Sequence, residues 1–161
     1  MATIHLVVGF IGFGKTTLAK KLEQQIPAIR FTHDDIMVSR YGNNPTDFQT
    51  KYNIVDDFIK TQTATYIKQN KDVILDYGFW THTKRKEYYN WAKTLTDSVI
   101  FHLLECDLSV ALKRTLNRTQ TDKTALMIDE NIFNQLLKQY EPWDNKDNYP
   151  VISHNSLSKD F

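Results

Sequence analysis

Residues 9–17 limit the fold of this chain more than any other stretch. Their sequence, GFIGFGKTT, fits the pattern G-x-x-x-x-G-K-[ST]. An apolar run at 4–8 precedes them, and apolar residues at helical spacing follow at Leu18 and Leu22. Strand, glycine loop and helix in this order predict a loop whose backbone N–H groups surround a phosphate at the positive end of a helix. A glycine-rich turn with a surface lysine is the alternative, and the flanking strand and helix argue against it.

The residue types in this loop predict separate tasks in holding a nucleoside triphosphate. Glycines let the backbone approach the phosphates closely. We expect Lys15 to reach the β- and γ-phosphates and the Thr16 hydroxyl to coordinate Mg²⁺. The predicted ATP-binding set is Gly9, Gly12, Phe13, Gly14, Lys15, Thr16 and Thr17.

Composition narrows the class of protein. With 161 residues, 41% hydrophobic and 24% charged, the chain is expected to form one soluble domain over 1–161. Its net charge of +1 argues against a broad basic surface for nucleic acid. The single cysteine, Cys106, cannot form an internal disulfide, and no apolar run is long enough for a membrane span. We therefore expect a cytoplasmic protein without a membrane partner; the oligomeric state does not follow.

Strand-like and helix-like segments alternate along the chain. This alternation predicts a three-layer α/β/α P-loop fold with a parallel sheet of about five strands and right-handed crossovers, in an order that the sequence leaves open. We expect strands at 3–8, 28–32, 72–76, 98–104 and 149–152. Residues 119–125 have no apolar period, so a small lid is expected at about 118–128.

Acidic residues follow three of the expected strands, where ligands collect in such folds. They are Asp34 with Asp35, Asp76, and Glu105 with Asp107. A phosphotransferase needs a group that accepts the proton of an attacking hydroxyl and a group that orders the metal ion. We assign Asp34 to the first task, and Asp76 to the metal or to the acceptor. Asp35 is equally suited to capping a helix, and Glu105 and Asp107 fit helix-cap and solvent roles better than ligand roles.

Two further groups of residues are candidates for the site. Arg114 and Arg118 lie four apart on one expected helix beside the lid, where a guanidinium could clamp the transferring phosphate. Solvated arginines are the alternative, and it stays open for Arg114. The loop at 77–80 is rich in aromatic residues, and we predict that Tyr77, Phe79 and Trp80 line the acceptor pocket, with ordinary packing as the alternative.

These features in this order resemble the small P-loop kinases of the zeta-toxin, chloramphenicol-phosphotransferase and polynucleotide-kinase type, the AAA domain group of phosphotransferases. The resemblance covers about residues 4–143. It implies that Asp34 activates the acceptor hydroxyl, and that Arg118, at the end of the lid helix, contacts the ATP phosphates. The basic segment 84–86 after the third strand is also similar, although a charge run at a helix start is usually solvated.

The chain departs from those relatives at two places. Many of them carry an arginine three residues after the catalytic aspartate, where this chain has Met37. That change favours a small-molecule hydroxyl acceptor over nucleic acid. Bulky Ile11 and Phe13 replace small residues of the phosphate loop, which a backbone cradle tolerates if the side chains point away.

The leading hypothesis is an ATP-dependent phosphotransferase that moves the γ-phosphate to a small molecule with Mg²⁺. A polynucleotide 5′-hydroxyl kinase is one alternative. The other is a nucleotide-hydrolysing switch that acts with a protein partner, although no Asn-Lys-x-Asp guanine motif follows an expected strand.

Overall fold

Five parallel strands form one sheet in the order β2-β3-β1-β4-β5. The structure is a computed structural model and describes residues 1–122 and 125–155. Its strands are β1 Thr3–Val8, β2 Ala28–Thr32, β3 Asp72–Gly78, β4 Ser98–Glu105 and β5 Val151–Asn155. Its helices are α1 Lys15–Gln25, α2 His33–Tyr41, α3 Phe48–Lys68, α4 His82–Lys93, α5 Leu108–Thr121 and α6 Glu130–Leu137. The predicted three-layer α/β fold and the predicted number of strands are confirmed.

The central strands are buried on both faces, as continuous apolar runs predict for a parallel sheet. On β1, Leu6 and Val8 face a core with residues of α3 and α4, whereas Val7 faces a second core with residues of α1 and α5. Helices thus cover both faces of the sheet. The loops after β1, β2 and β3 consequently meet at the carboxyl edge of neighbouring strands, where the predicted site residues lie.

Helix starts agree with the sequence where a cap residue is present. Thr81, Asp107 and Asp129 each accept a hydrogen bond from a backbone N–H in the first turn of α4, α5 and α6. One boundary differs from the sequence pattern, in which apolar residues at helical spacing permit a helix start at Pro45. Helix α3 begins instead at Phe48, after Asp47 with φ +50°. Among the described residues, no helix combines the length and the apolar character that crossing a bilayer requires.

The register of the two central strands slips at the carboxyl edge. Residues 4–7 of β1 pair in step with residues 73–76 of β3, but Val8 pairs with Gly78. Beyond this irregularity, Gly9 N donates to Gly78 O at 3.1 Å. The start of the phosphate loop is therefore fixed to the end of β3.

Candidate active site

The segment 9–17 forms a turn that delivers the chain from β1 into α1. Gly12 has φ +78° and Gly14 has φ +94°, and Gly14 is the N-cap of α1. A Cβ atom at Gly12 would lie 2.3 Å from Ala111 O and 2.7 Å from Thr115 Oγ1 of α5. Glycine is required at this position both by the backbone conformation and by the approach of α5.

The bulky residues of this loop point into the protein. The side chains of Phe10, Ile11 and Phe13 are buried, and the Phe10 ring lies 5.0 Å from that of Trp80 and 5.3 Å from that of Tyr140. Their packing leaves the backbone of the loop to form its inner surface, as expected. Phe13 can therefore contribute only its backbone to a bound phosphate, and Thr17 is exposed beside the loop.

Lys15 lies across the mouth of the loop, where its Nζ donates to Phe10 O at 3.1 Å. Burial lowers the pKa of Lys15, and the carboxylates of Asp76 and Asp34 oppose that shift. Arg118 adds to the lowering, which puts it within electrostatic range of the ammonium group. The structure thus brings together Lys15, Asp34, Asp76 and Arg118, which the sequence placed in four separate segments.

Asp76 links β3 to the end of β2 and to the first turn of α1. Its Oδ2 accepts hydrogen bonds from Thr16 Oγ1 at 2.8 Å and from Thr32 Oγ1 at 3.0 Å. Burial raises the pKa of Asp76, whereas Lys15 and the two hydroxyl donors oppose that shift. A hydroxyl beside a carboxylate, both of them oxygen donors, is a set that suits Mg²⁺, which prefers oxygen ligands and retained waters.

Asp34 lies in the first turn of α2, where the helix dipole favours a negative charge. Its side chain is exposed to solvent, as is that of Asp35. Neighbouring protein atoms that displace water raise the pKa of Asp34, and the charges of Lys15 and Arg118 oppose the shift, which places both within electrostatic range of its carboxyl. The Oδ2 atom of Asp35 lies 3.8 Å from Arg30 Nη1. Its role as an acceptor ligand stays a prediction.

Both predicted arginines lie on α5, but they face different parts of the loop. Arg114 Nη1 lies 3.4 Å from Gly12 O, at the outer side of the phosphate loop. Arg118 is exposed on the last turn of α5, on the side of Lys15 and Asp34. The adjacent Thr119 hydroxyl donates to Ile128 O at 2.9 Å, which ties the end of the expected lid to α5. Residues 123 and 124 of that lid lie outside the described residues.

The aromatic residues after β3 divide between two environments. Tyr77 is half-buried and donates to Asp56 Oδ1 at 2.9 Å. Phe79 is only 4% exposed and packs against Tyr88, and Trp80 packs against Phe10 of the phosphate loop. Tyr77 and Phe79 stack on each other on the α3 side of the sheet, and Tyr77 also lies against His33, the residue before Asp34. The acceptor roles of all three residues stay predictions.

Sequence reasoning missed two buried polar clusters. In the first, Asp56 Oδ1 accepts hydrogen bonds from Tyr77 and Tyr88, and its Oδ2 lies 3.4 Å from Lys60 Nζ. The second cluster is the pair of Arg85 and Asp147. Arg85 is 0% exposed, although it lies within the basic segment 84–86. The helical spacing of Arg85, Tyr88 and Ala92, all buried, was the signal that this arginine faces inward.

The AAA domain family model matches residues 4–143. The chain belongs to the AAA domain family. That match covers the phosphate loop, all three acidic segments and α5, so the resemblance drawn from these residues is confirmed. No curated protein sequence matches this AAA-domain chain.

Solved structures share the fold at low sequence identity. A protein of Chloroflexus aurantiacus assigned as a kinase has a TM-score of 0.74 and 14% identity, over 96% of this chain and 88% of its own. Kti12 of Chaetomium thermophilum, solved with ADP-AlF3, has a TM-score of 0.68 and 15% identity, over 94% of this chain and 88% of its own. A gluconokinase of Sinorhizobium meliloti has a TM-score of 0.62 and 15% identity, over 98% of this chain and 83% of its own. The chain thus has a kinase-like P-loop fold.

Proposed function

We propose that this protein is an ATP-dependent phosphotransferase that phosphorylates a hydroxyl group of a small molecule. The observation that carries the proposal is the convergence of Lys15, Asp34, Asp76 and Arg118 beside a glycine loop at a helix N-terminus. Cationic and N–H groups suit a polyphosphate, and a nearby carboxylate suits a hydroxyl that must lose its proton.

Each residue then has a task that follows from its position. The backbone of 9–16 and the ammonium of Lys15 hold the phosphates, while Thr16 and Asp76 would hold the Mg²⁺ ion directly or through its waters. ATP supplies the phosphoryl group and Mg²⁺ neutralises its charge when both are bound. Asp34 accepts a hydrogen bond from the acceptor hydroxyl and takes its proton as the hydroxyl oxygen bonds to the γ-phosphorus. The bond between that phosphorus and the β,γ-bridging oxygen breaks, and ADP is the leaving group. Arg118 stabilises the negative charge at the phosphate.

Charge on the acceptor side supports a neutral or cationic acceptor. The segment 28–60, which runs from β2 into α3 and includes Asp34, contains five aspartates and four basic residues. All four basic side chains are engaged within the protein: Arg30 with Glu23, Arg40 over Phe58, Lys51 with Thr46, and Lys60 with Asp56. A phosphorylated or polynucleotide acceptor would therefore find no unengaged cation among the described residues of this segment.

Met37 supports the same conclusion. It occupies the place where many relatives carry an acceptor-binding arginine, and it is 0% exposed in the core. An arginine introduced there would have to displace apolar neighbours, so the chain cannot present a cation to the acceptor from this position without repacking.

Transfer of ³²P from γ-labelled ATP tests the proposal. The acceptor panel should contain nucleosides, sugars, aminoglycoside-like antibiotics and 5′-hydroxyl oligonucleotides. We expect labelled product with a member of the first three groups and none with the oligonucleotides. Label that appears only in inorganic phosphate, and faster with a protein fraction, would favour the hydrolysing switch instead. Efficient labelling of oligonucleotides that weakens steeply with salt would favour the end-kinase.

A further inference from the structure

Thr32 stands at the junction of β2 and α2 and does not act as a helix cap. It occupies the N-cap position of α2, where a threonine hydroxyl ordinarily accepts a hydrogen bond from the first turn. No such bond is formed. Instead, the 6% exposed Thr32 donates from Oγ1 to Asp76 Oδ2 at 3.0 Å. The hydroxyl thus hydrogen-bonds to the neighbouring strand β3 at the candidate metal site, and α2 has no side-chain cap from Thr32.

Arg30 fixes the direction of that hydroxyl. Arg30 Nη1 donates to Thr32 Oγ1 at 2.5 Å, and Arg30 Nε donates to Glu23 Oε2 of α1 at 2.8 Å. Because a guanidinium only donates, the Thr32 oxygen accepts from Arg30, and its single hydrogen is available for Asp76. Glu23, Arg30, Thr32 and Asp76 therefore form one continuous series of hydrogen bonds.

The two hydroxyls that reach Asp76 come from opposite sides of β3. Thr16 belongs to the phosphate loop after β1, and Thr32 ends β2, yet both donate to the same oxygen, Oδ2. The other oxygen, Oδ1, accepts no hydrogen bond from the described residues. A carboxylate held by two donors on one oxygen cannot rotate freely, and its second oxygen keeps a fixed direction.

We propose that Thr32, held in place by Arg30, is a positioning residue that orients Asp76 for the Mg²⁺ ion of a bound nucleotide. The inference rests on the proposed function, since it concerns the same metal site. Thr32 does not touch the ion or the nucleotide; it acts through Asp76. Hydrogen-bond partners of this kind orient metal ligands, and their loss typically lowers metal affinity by about 10–100-fold.

Calorimetry of ADP binding, with Mg²⁺ and with a chelator, tests the proposal on the whole chain. Thr32→Val removes the hydroxyl and keeps the branched shape. We expect its ADP affinity in chelator to stay within about twofold of wild type, while the gain in affinity on adding Mg²⁺ falls by about tenfold or more. Thr32→Ser keeps the hydroxyl and should restore most of that gain.

Two further variants separate orientation from folding. Thr63→Val removes another buried threonine hydroxyl, one that donates only to Ile59 O of its own helix at 2.8 Å, and should leave both affinities unchanged. Arg30→Met keeps the apolar stem but removes the donors to Thr32 and Glu23, and should reduce the Mg²⁺-dependent gain by a smaller factor than Thr32→Val. If Thr32→Val does not fold, Arg30→Met measures the same series of hydrogen bonds.

Three results would overturn the inference. One is a wild-type Mg²⁺-dependent gain in both Thr32→Val and Arg30→Met. Another is an equal loss of affinity with and without Mg²⁺, which indicates general damage to the loop. The third is a Thr32→Ser variant as impaired as Thr32→Val. Failure of the proposed function is distinguishable from all of these, because it is measured on the wild-type protein by ³²P transfer to small molecules. A wild-type protein that binds ADP with Mg²⁺ but labels no small molecule would contradict the proposed function and leave the role of Thr32 standing.

Discussion

Arg85 and Asp147 form a buried ion pair with two hydrogen bonds, Nε to Oδ1 at 2.8 Å and Nη2 to Oδ2 at 3.0 Å. The guanidinium also donates to Phe79 O at 2.8 Å and to Glu141 O at 3.0 Å. One side chain of α4 therefore holds the loop that follows β3 and the segment that follows α6. Both segments pack behind the phosphate loop, so this ion pair supports the site without entering it.

Removing the arginine should be strongly destabilising because the buried Asp147 carboxylate loses its guanidinium partner and, among the described residues, keeps only hydrogen bonds with His82 and with the backbone of Asp144. We expect Arg85→Met to lower the free energy of unfolding by about 3–5 kcal/mol, measured by urea denaturation. Lys84→Met removes a neighbouring cation that is exposed and pairs only with Glu87, and it should change stability by less than about 0.5 kcal/mol. Equal free energies of unfolding for the two variants would show that the buried ion pair does not stabilise the fold.

Gly12 and Gly42 offer a matched test of the phosphate loop. Both have positive φ, +78° and +83°, but a Cβ would collide with Ala111 O only at Gly12, and at Gly42 it would meet no atom within 4 Å. Gly42→Ala should cost only the backbone strain at φ +83° and ψ 176°, about 1–3 kcal/mol, and leave nucleotide binding intact. Gly12→Ala should also displace the loop from α5 and weaken ADP binding with Mg²⁺ by about tenfold or more, or about 1.4 kcal/mol. Equal ADP affinities of the two variants would contradict this account of the loop.

Three histidines form a hydrogen-bonded row across the sheet. His5 Nδ1 lies 2.9 Å from His102 Nε2, and His102 Nδ1 lies 3.0 Å from His154 Nε2. The row ends at Asp72, whose Oδ2 lies 3.2 Å from His5 Nε2. Three neutral rings that each carry the proton on Nε2 satisfy the whole row, with His5 donating to the carboxylate.

That arrangement predicts loss of stability in acid. Burial lowers the pKa of His102 to about 3, with further lowering from His5 and His154. Between about pH 6.5 and pH 3 the unfolded chain therefore binds a proton at this residue that the folded chain does not, so stability falls as pH falls. Urea titrations should show a shallower pH dependence for His102→Gln than for wild type, by at most about 1.4 kcal/mol per pH unit. Identical slopes would contradict a neutral His102.

The sequence predicted most of the elements because their signals are local. Apolar runs predicted β1 and β4, and the side chain of Asp107 caps α5 as expected. The last strand was predicted at 149–152 and lies at Val151–Asn155. Tyr149 is apolar enough to suggest a strand, but it packs on Tyr89 and Phe101 instead, and pairing begins where Phe101 N donates to Pro150 O. A local sequence pattern cannot show this pairing, because Phe101 and Pro150 are 49 residues apart.

The sequence predicted which residues form the candidate site but not the hydrogen bonds between them. The phosphate-loop pattern gave Lys15 and Thr16, and position after a strand gave Asp34 and Asp76. The use of Thr32 could not be read from the chain, because its partner Asp76 is 44 residues away on a neighbouring strand. Strand order decides that contact, and order depends on crossovers that local patterns do not specify.

Asp34 should be needed for transfer but not for nucleotide binding. We expect Asp34→Asn to keep its ADP affinity within a few fold and to reduce phosphoryl transfer by about a hundredfold or more, since an amide cannot accept the proton. Asp57→Asn, on the exposed side of α3, is the matched control and should transfer at the wild-type rate. Near-normal turnover of Asp34→Asn on an identified acceptor would remove the residue from this role.

The central claim is that the loop at 9–17 holds a nucleoside triphosphate with Mg²⁺, and calorimetric titration with ATP measures it most directly. Wild type should bind one ATP per chain, more tightly with Mg²⁺ than with a chelator. Lys15→Met should weaken that binding by about 10–100-fold, the worth of a charge-assisted hydrogen bond, while Lys20→Met on the exposed side of α1 should not. No Mg²⁺-supported binding by wild type, or equal affinities of the two lysine variants, would contradict the account.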